Sequence, residues 1–252
     1  SDDVLAMSFL TFFYSDKPVL FPDITYSFYD VWADLYRIPY QCQPLDDNFC
    51  IRKEDYFREN GGIVIANPNA PTGVAMPQSV LEEIIRANPD SVVIIDEAYV
   101  DFGGESCVPL IEKYDNLLVV QTFSKSRSMA GMRIGYAMGN EKMIGYLNDV
   151  KNSFNSYTMS AVSIAAGAAS VADETYFQDT VAKVVATRER VRGELERLGF
   201  VCTDARTNFL FASHRTIPAR EIFEALRAEK IYVRFWDKPR ISDYMRISIG
   251  TD

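Results

Sequence analysis

The sequence is short of the residues that most often carry out chemistry. It has one histidine, and His214 sits in a polar segment, 213–216, that reads as a turn or surface position and not as a catalytic base. Its four cysteines, Cys42, Cys50, Cys107 and Cys202, lack the paired spacing of metal or redox sites, so they read as free thiols of a reducing cytoplasm. No apolar run reaches the roughly 18 residues of a membrane span, so no membrane partner is expected. No secretory leader is legible at the start. Basic charge is in deficit: 26 lysines and arginines stand against 35 aspartates and glutamates, a net charge of -9. Nucleic acid is therefore not an expected partner. Internal repeats and low-complexity segments are also missing.

What is present is a globular composition. With 252 residues, 48% of them hydrophobic, the chain can bury a sizeable core in one or two domains. Continuous apolar runs such as Val92-Val93-Ile94-Ile95 and Leu117-Leu118-Val119-Val120 are typical of strands buried on both faces. Runs of this kind predict strands over 18–21, 37–43, 62–66, 91–95, 116–121 and 134–138, with helices over 26–35, 77–87 and 140–150 between them. The alternation predicts an α/β fold, a mostly parallel sheet between helices. From about Tyr157 the pattern changes. Helical character runs from Thr158 to Leu198 with a break near Asp173, and Gly199 reads as a stop. Short strands over 200–202, 208–211, 232–234 and 244–249, with a helix over 218–229, predict a smaller α+β unit. The expected division is a large domain over 1–172 and a small C-terminal domain over 173–252. Asp2-Asp3 opens directly into the helical pattern Val4-Leu5-Ala6-Met7-Ser8-Phe9-Leu10, and Gly250-Thr251-Asp252 reads as the lead-in to another helix. Both ends are therefore expected to be cut.

Chemistry concentrates in four motifs. In Thr122-Phe123-Ser124-Lys125-Ser126-Arg127-Ser128-Met129-Ala130-Gly131-Met132-Arg133, one lysine lies within a run of hydroxyls, with an arginine eight positions later. Most loop lysines are solvated charges. Here the hydroxyls of Thr122 and Ser124 and the Arg133 guanidinium suit a phosphate, and Lys125 can form a Schiff base, as a carrier of pyridoxal phosphate requires. The strand ending at Ile95 runs into Asp96-Glu97-Ala98-Tyr99, at the strand end where α/β ligands sit. Asp96 either caps the segment after it or pairs with a protonated pyridine nitrogen, with Tyr99 then placed to bond the ring's phenolic oxygen. Asn67-Pro68-Asn69-Ala70-Pro71-Thr72-Gly73 follows another strand and forms a rigid turn. Arg246 sits between apolar neighbours on an alternating strand, where an unpaired charge is costly. An internal salt bridge or a ligand carboxylate would satisfy it. Arg234, Lys238 and Arg240 form either a second anion site or a solvated loop.

In this order, the motifs resemble those of the fold-type I pyridoxal-phosphate-dependent aminotransferases, over essentially the whole chain. The closing pattern, Val233-Arg234-Phe235-Trp236-Asp237-Lys238-Pro239-Arg240 before Met245-Arg246-Ile247-Ser248-Ile249-Gly250-Thr251, is most similar to the histidinol-phosphate branch. The resemblance implies pyridoxal 5'-phosphate as cofactor and Lys125 as its Schiff-base lysine and proton shuttle. It implies Asp96 at the pyridine nitrogen, Tyr99 at the ring oxygen and Tyr26 stacked on the ring. Thr122, Ser124 and Arg133 would hold the cofactor phosphate, together with the backbone at Asp2 and Asp3, which opens a helix. Arg246 would take a carboxylate and Arg234 the substrate phosphate. The implied reaction is transamination between a small-molecule amino donor, histidinol phosphate, and a keto acid, 2-oxoglutarate, in histidine biosynthesis by a cytoplasmic homodimer. One position departs from the family: the asparagine usual before Pro-Thr-Gly is Ala70, with Asn69 and Asn67 as the nearby candidates to replace it. The family's N-terminal arm and last helix are absent from the sequence. An aromatic amino-acid aminotransferase, a decarboxylase of a phosphorylated amino acid and a non-catalytic sensor of the same fold are the alternatives.

Overall fold

The structure, a computed structural model, describes residues 1–251. Its larger sheet has six strands: β1 (Val19–Pro22), β2 (Tyr40–Gln43), β3 (Gly62–Ala66), β4 (Val93–Asp96), β5 (Leu117–Thr122) and β6 (Gly135–Met138). They lie in the order β2-β1-β3-β4-β5-β6. All pairs are parallel except the last, where β6 returns antiparallel to β5. Helices α1 (Asp2–Phe12), α2 (Tyr29–Tyr36), α3 (Gln78–Ala87) and α4 (Glu141–Phe154) surround the sheet. Side chains alternate across it. Val64, Ile94 and Val120 face Leu5, Phe9, Trp32 and Leu147 from α1, α2 and α4. Ile63, Ile65, Val93 and Ile95 face Leu81, Ile84 and Ile85 from α3. With both faces covered, every residue of β3 and β4 is buried, which is why these strands read as unbroken apolar runs.

Helices α5 (Ala161–Ala172) and α6 (Glu174–Arg197) lead to a second, antiparallel sheet. The expected break falls at Asp173, which ends α5 and whose carboxylate accepts the Tyr176 N–H at 3.2 Å, capping α6. The second sheet contains β7 (Phe200–Cys202), β8 (Phe209–His214), β9 (Arg234–Phe235) and β10 (Met245–Ser248), with α7 (Ala219–Ala228) between β8 and β9. Its order is β7-β8-β10-β9. The two sheets meet through Phe49, Phe211 and Ile241. Arg188 of α6, 1% exposed, joins them more directly. It donates to the carbonyls of Phe102 at 2.8 Å and Thr207 at 2.9 Å.

Two boundaries differ from expectation in ways that matter for the site. Helix α2 starts at Tyr29, so Tyr26 lies in the turn before it and not on the helix. Arg37, at φ 58, closes α2 in the left-handed region and delays β2 to Tyr40. His214 sits at the end of β8, where its Nδ1 accepts the N–H of Ile217 at 3.0 Å, a turn-stabilising role. Among the described residues, no helix is long and apolar enough to cross a membrane.

Candidate active site

The parallel register aligns Ala66 with Asp96 and Asp96 with Val120, so β3, β4 and β5 end together. Asp96 is the last residue of β4 and is 4% exposed. Its Oδ2 accepts the Tyr29 hydroxyl at 2.8 Å, and its Oδ1 accepts the Ala98 N–H at 3.2 Å. Asp96 therefore caps the following turn and also keeps a buried carboxylate at the strand end. Burial raises its pKa, against the opposing pull of these two hydrogen bonds. A cation placed beside such a group would be strongly favoured. Its neighbour Glu97 is buried as well. It takes hydrogen bonds from Ser106 and Gln121, each 2.7 Å, and from the Cys107 N–H, so it braces the loops beneath the strand end.

After Thr122 the chain turns sharply. The Met129 N–H donates to the Phe123 carbonyl at 3.0 Å and the Ser128 N–H to the Lys125 carbonyl at 3.1 Å. The Lys125 side chain extends over Tyr99, its Nζ 5.5 Å from the ring centroid. Tyr99 in turn meets Phe209 of β8 edge to face at 5.2 Å. Thr122 Oγ1 lies 3.0 Å from Ser124 Oγ and 3.4 Å from the Ser1 nitrogen at the start of α1. Arg133 reaches back to Asp2 Oδ2 at 3.3 Å, and Asp2 Oδ1 accepts the Tyr26 hydroxyl at 3.0 Å. Burial and the Asp2 carboxylate raise the Tyr26 pKa. Gly135 makes room for this junction: a Cβ there would fall 2.6 Å from the Ser1 nitrogen.

Lys125, Asp96, Tyr99, Tyr26, Thr122, Ser124, Arg133 and Asp2 thus line one cleft. Asp3 lies on the exposed side of the first turn of α1 and does not line it. Arg246 and Arg234 line an adjoining cleft that shares Tyr26 and Ala70 with the first. Arg246 is wedged between Phe209 and Trp236, 5.0 and 5.7 Å from their centroids. Its buried Nε has no hydrogen-bond partner among the described residues, and no salt bridge to it is found there. Arg234 also lies against Trp236, at 5.4 Å. Arg240 lines the same cleft but pairs with Asp23 at 2.7 Å and donates to the carbonyls of Leu45 and Asp46.

Ala70 is buried and borders both clefts. Neither nearby asparagine replaces the missing amide. Asn69 accepts the Thr25 hydroxyl at 2.8 Å and donates to the Ile24 carbonyl at 2.9 Å and to Thr72 at 3.0 Å. Asn67 makes two bonds to the backbone of Met76. Both amides are engaged in tying the turn to its neighbours. Three contributors escaped the sequence reading: Tyr29 on Asp96, and Phe209 and Trp236 around Arg246. Only Trp236 left a trace, as part of the closing motif beside Arg234.

Comparison with known proteins places these features in context. The family model for aminotransferase class I and II matches residues 1–252. A histidinol-phosphate aminotransferase of Lactococcus lactis subsp. cremoris is 58% identical over the whole chain, which spans 71% of that protein. The crystal structure of the histidinol-phosphate aminotransferase from Clostridium acetobutylicum superposes with a TM-score of 0.90 at 22% identity, covering 100% of this chain and 78% of that one. The enzyme of that name from Sinorhizobium meliloti, solved in complex with pyridoxal-5'-phosphate, gives 0.88 at 22% identity, covering 99% of this chain and 70% of that one. At that identity the two structures speak to the fold.

Proposed function

The chain belongs to the class I and II aminotransferases, and we propose that it transfers the amino group of histidinol phosphate to 2-oxoglutarate, a step of histidine biosynthesis, with pyridoxal 5'-phosphate as cofactor. The name of the Lactococcus relative supplies the substrate. The observation that carries the chemistry is the single cleft in which Lys125 faces Tyr99 above a buried Asp96.

The donor set suits the cofactor. Hydroxyls of Thr122 and Ser124, the Arg133 guanidinium and the amino end of α1 converge on one corner, as a phosphate dianion requires. The buried Asp96 carboxylate offers a partner for a protonated ring nitrogen. When bound, pyridoxal 5'-phosphate supplies an electron-poor ring that absorbs the charge left by loss of a proton from carbon. Asp96 would keep that ring nitrogen protonated, since separating the pair would strand a buried charge. Tyr99 would donate to the ring oxygen without help from residue 70, where alanine offers no amide. Tyr26, which lines the same cleft, would lie against the ring. Lys125 would hold the cofactor through Nζ, and as a free amine it would carry the proton between the substrate carbon and the cofactor's aldehyde carbon, on either side of the nitrogen that joins them. Arg246, whose buried Nε has no hydrogen-bond partner among the described residues, takes the carboxylate of the keto acid, and Arg234 the phosphate of the amino donor. Phe209 and Trp236 exclude water around Arg246 and strengthen its hold.

The same reading divides the chain into a cofactor-binding unit over 1–172, which contains the six-stranded sheet, and a smaller unit over 173–252. It also makes the protein a cytoplasmic homodimer. The four free thiols suit a reducing compartment. An apolar surface around α5, with Tyr157 92%, Val162 68% and Ile164 57% exposed, supports burial against a second copy. Sedimentation that finds only monomer at micromolar concentration would refute the dimer. The catalytic reading is tested by visible absorption of the cofactor-loaded protein. Histidinol phosphate should bleach the band and 2-oxoglutarate should restore it, whereas Lys125→Ala should show neither change. A band unmoved by histidinol phosphate would mean another amino donor or a sensor.

A further inference from the structure

The chain on either side of Lys125 is held far more firmly than the lysine itself. Ser126 is buried, and its hydroxyl donates to Asp101. Arg127 is gripped on several sides, with a side chain only 15% exposed. Its guanidinium carbon lies 4.0 Å from the ring centroid of Phe177 in α6 and 5.4 Å from that of Phe123. Its Nη1 donates to the Ser170 carbonyl of α5 at 2.7 Å, and its Nη2 lies 3.9 Å from Glu174 of α6. Between these anchors, the turn from Lys125 to Ser128 places Ser128 at φ 55, a left-handed conformation that a non-glycine residue holds only when its surroundings enforce it. The Lys125 ammonium has the Tyr99 ring as its recorded neighbour and is left to reach into the cleft.

We propose that Arg127 is a positioning residue: it fixes the turn at Lys125 against the corner between α5 and α6, and so aims Nζ at the cleft. The proposal rests on Lys125 being the cofactor lysine. The task suits arginine because a flat cation can stack on two rings while its edge donates to a carbonyl. Lysine keeps the charge but offers neither the flat face nor the fork. A lysine displaced by even about 1 Å reacts more slowly without binding substrate less well. The expected defect is therefore in chemistry and not in recognition.

The test compares the wild-type protein with Arg127→Lys, Phe177→Leu and Lys125→Ala. Cofactor-free protein is mixed with pyridoxal 5'-phosphate and borohydride, which fixes the cofactor to the amine that holds it, and the labelled peptide is mapped by mass spectrometry over time. Steady-state kinetics with histidinol phosphate run alongside. Arg127→Lys should label Lys125 about 10-fold more slowly and lower kcat by roughly 10–100-fold, with KM changed less than about two-fold. Phe177→Leu should move both in the same direction by less. A lower melting temperature with unchanged labelling and kcat would show Arg127 to be a stabilising contact and overturn the proposal. If Arg127→Lys fails to fold, Phe177→Leu decides alone, and wild-type labelling in it overturns the proposal. Wild-type label at a lysine other than 125, or none at all, would instead sink the reading of Lys125 itself.

Discussion

Asp96 sets the charge balance of the cleft. Its pKa is raised on folding by burial, so the folded protein binds this proton more readily than the unfolded chain. In the cofactor-free protein, the resulting stability is fully present below the ordinary aspartate pKa of about 3.9 and is lost as pH rises through the folded value. Asp96→Asn removes the titration while keeping an acceptor for Ala98, and the Tyr29 hydroxyl can turn to accept. The cofactor-free Asn variant is expected to melt at or above the wild-type temperature at pH 7 and to lose that advantage below about pH 4. Its turnover should fall at least about 10²-fold. Calorimetry across pH, with kinetics, checks both signs. Tyr29→Phe acts on the same carboxylate by leaving Oδ2 buried without a side-chain donor. A loss of roughly 1–3 kcal/mol is expected in denaturant unfolding at neutral pH. Lys125, Asp96 and Tyr99 are legible in the sequence because each lies in a contiguous motif at a strand end. Tyr29 is not, because its bond to Asp96 joins residues 67 positions apart. The fate of Arg240 is equally hidden: nothing local announces that Asp23, 217 positions away, claims it.

At the scale of elements, apolar runs located the strands well because burial on both faces leaves no polar alternation to confuse them. Boundaries were less legible. Whether residues 26–28 join a helix depends on Tyr26 being drawn out toward Asp2, a contact between elements and not a propensity. The direction of β6 was likewise silent, since an edge strand reads alike in either sense. That direction has a chemical effect. By running back along β5 it brings Gly135 beside Thr122 and delivers Arg133 to the amino end of α1. Gly135→Ala should push the start of α1 away, because its Cβ would lie 2.6 and 2.9 Å from the Ser1 nitrogen and Cα. A cost of about 1–3 kcal/mol is expected, with weaker cofactor binding in a fluorescence titration. Unchanged affinity would mean that α1 does not form the phosphate corner.

For the molecule as a whole, the junction between the sheets holds the residues of the two clefts in register. Tyr99 comes from the larger sheet and leans on Phe209 of the smaller one, which also supports Arg246. Arg188 ties the turns behind both. Arg188→Met should strand the Phe102 and Thr207 carbonyls, lower stability by at least about 2 kcal/mol and raise KM for the keto acid. Thermal melts and kinetics separate these effects, and a melt shift with unchanged KM would limit Arg188 to stability. The corner between α1, β5 and Arg133 has a further consequence, for how the protein is made. It is closed by atoms 121 to 131 positions apart, Ser1 with Thr122 and Asp2 with Arg133. Contacts of such separation form late, after many local ones. The apolar face of α1 can pack early on Tyr29 and Trp32 of α2, whereas this corner closes only once β5 and Arg133 are in place. Colour from bound cofactor should then be among the last signals to appear during refolding, a visible clock for completion of the larger sheet.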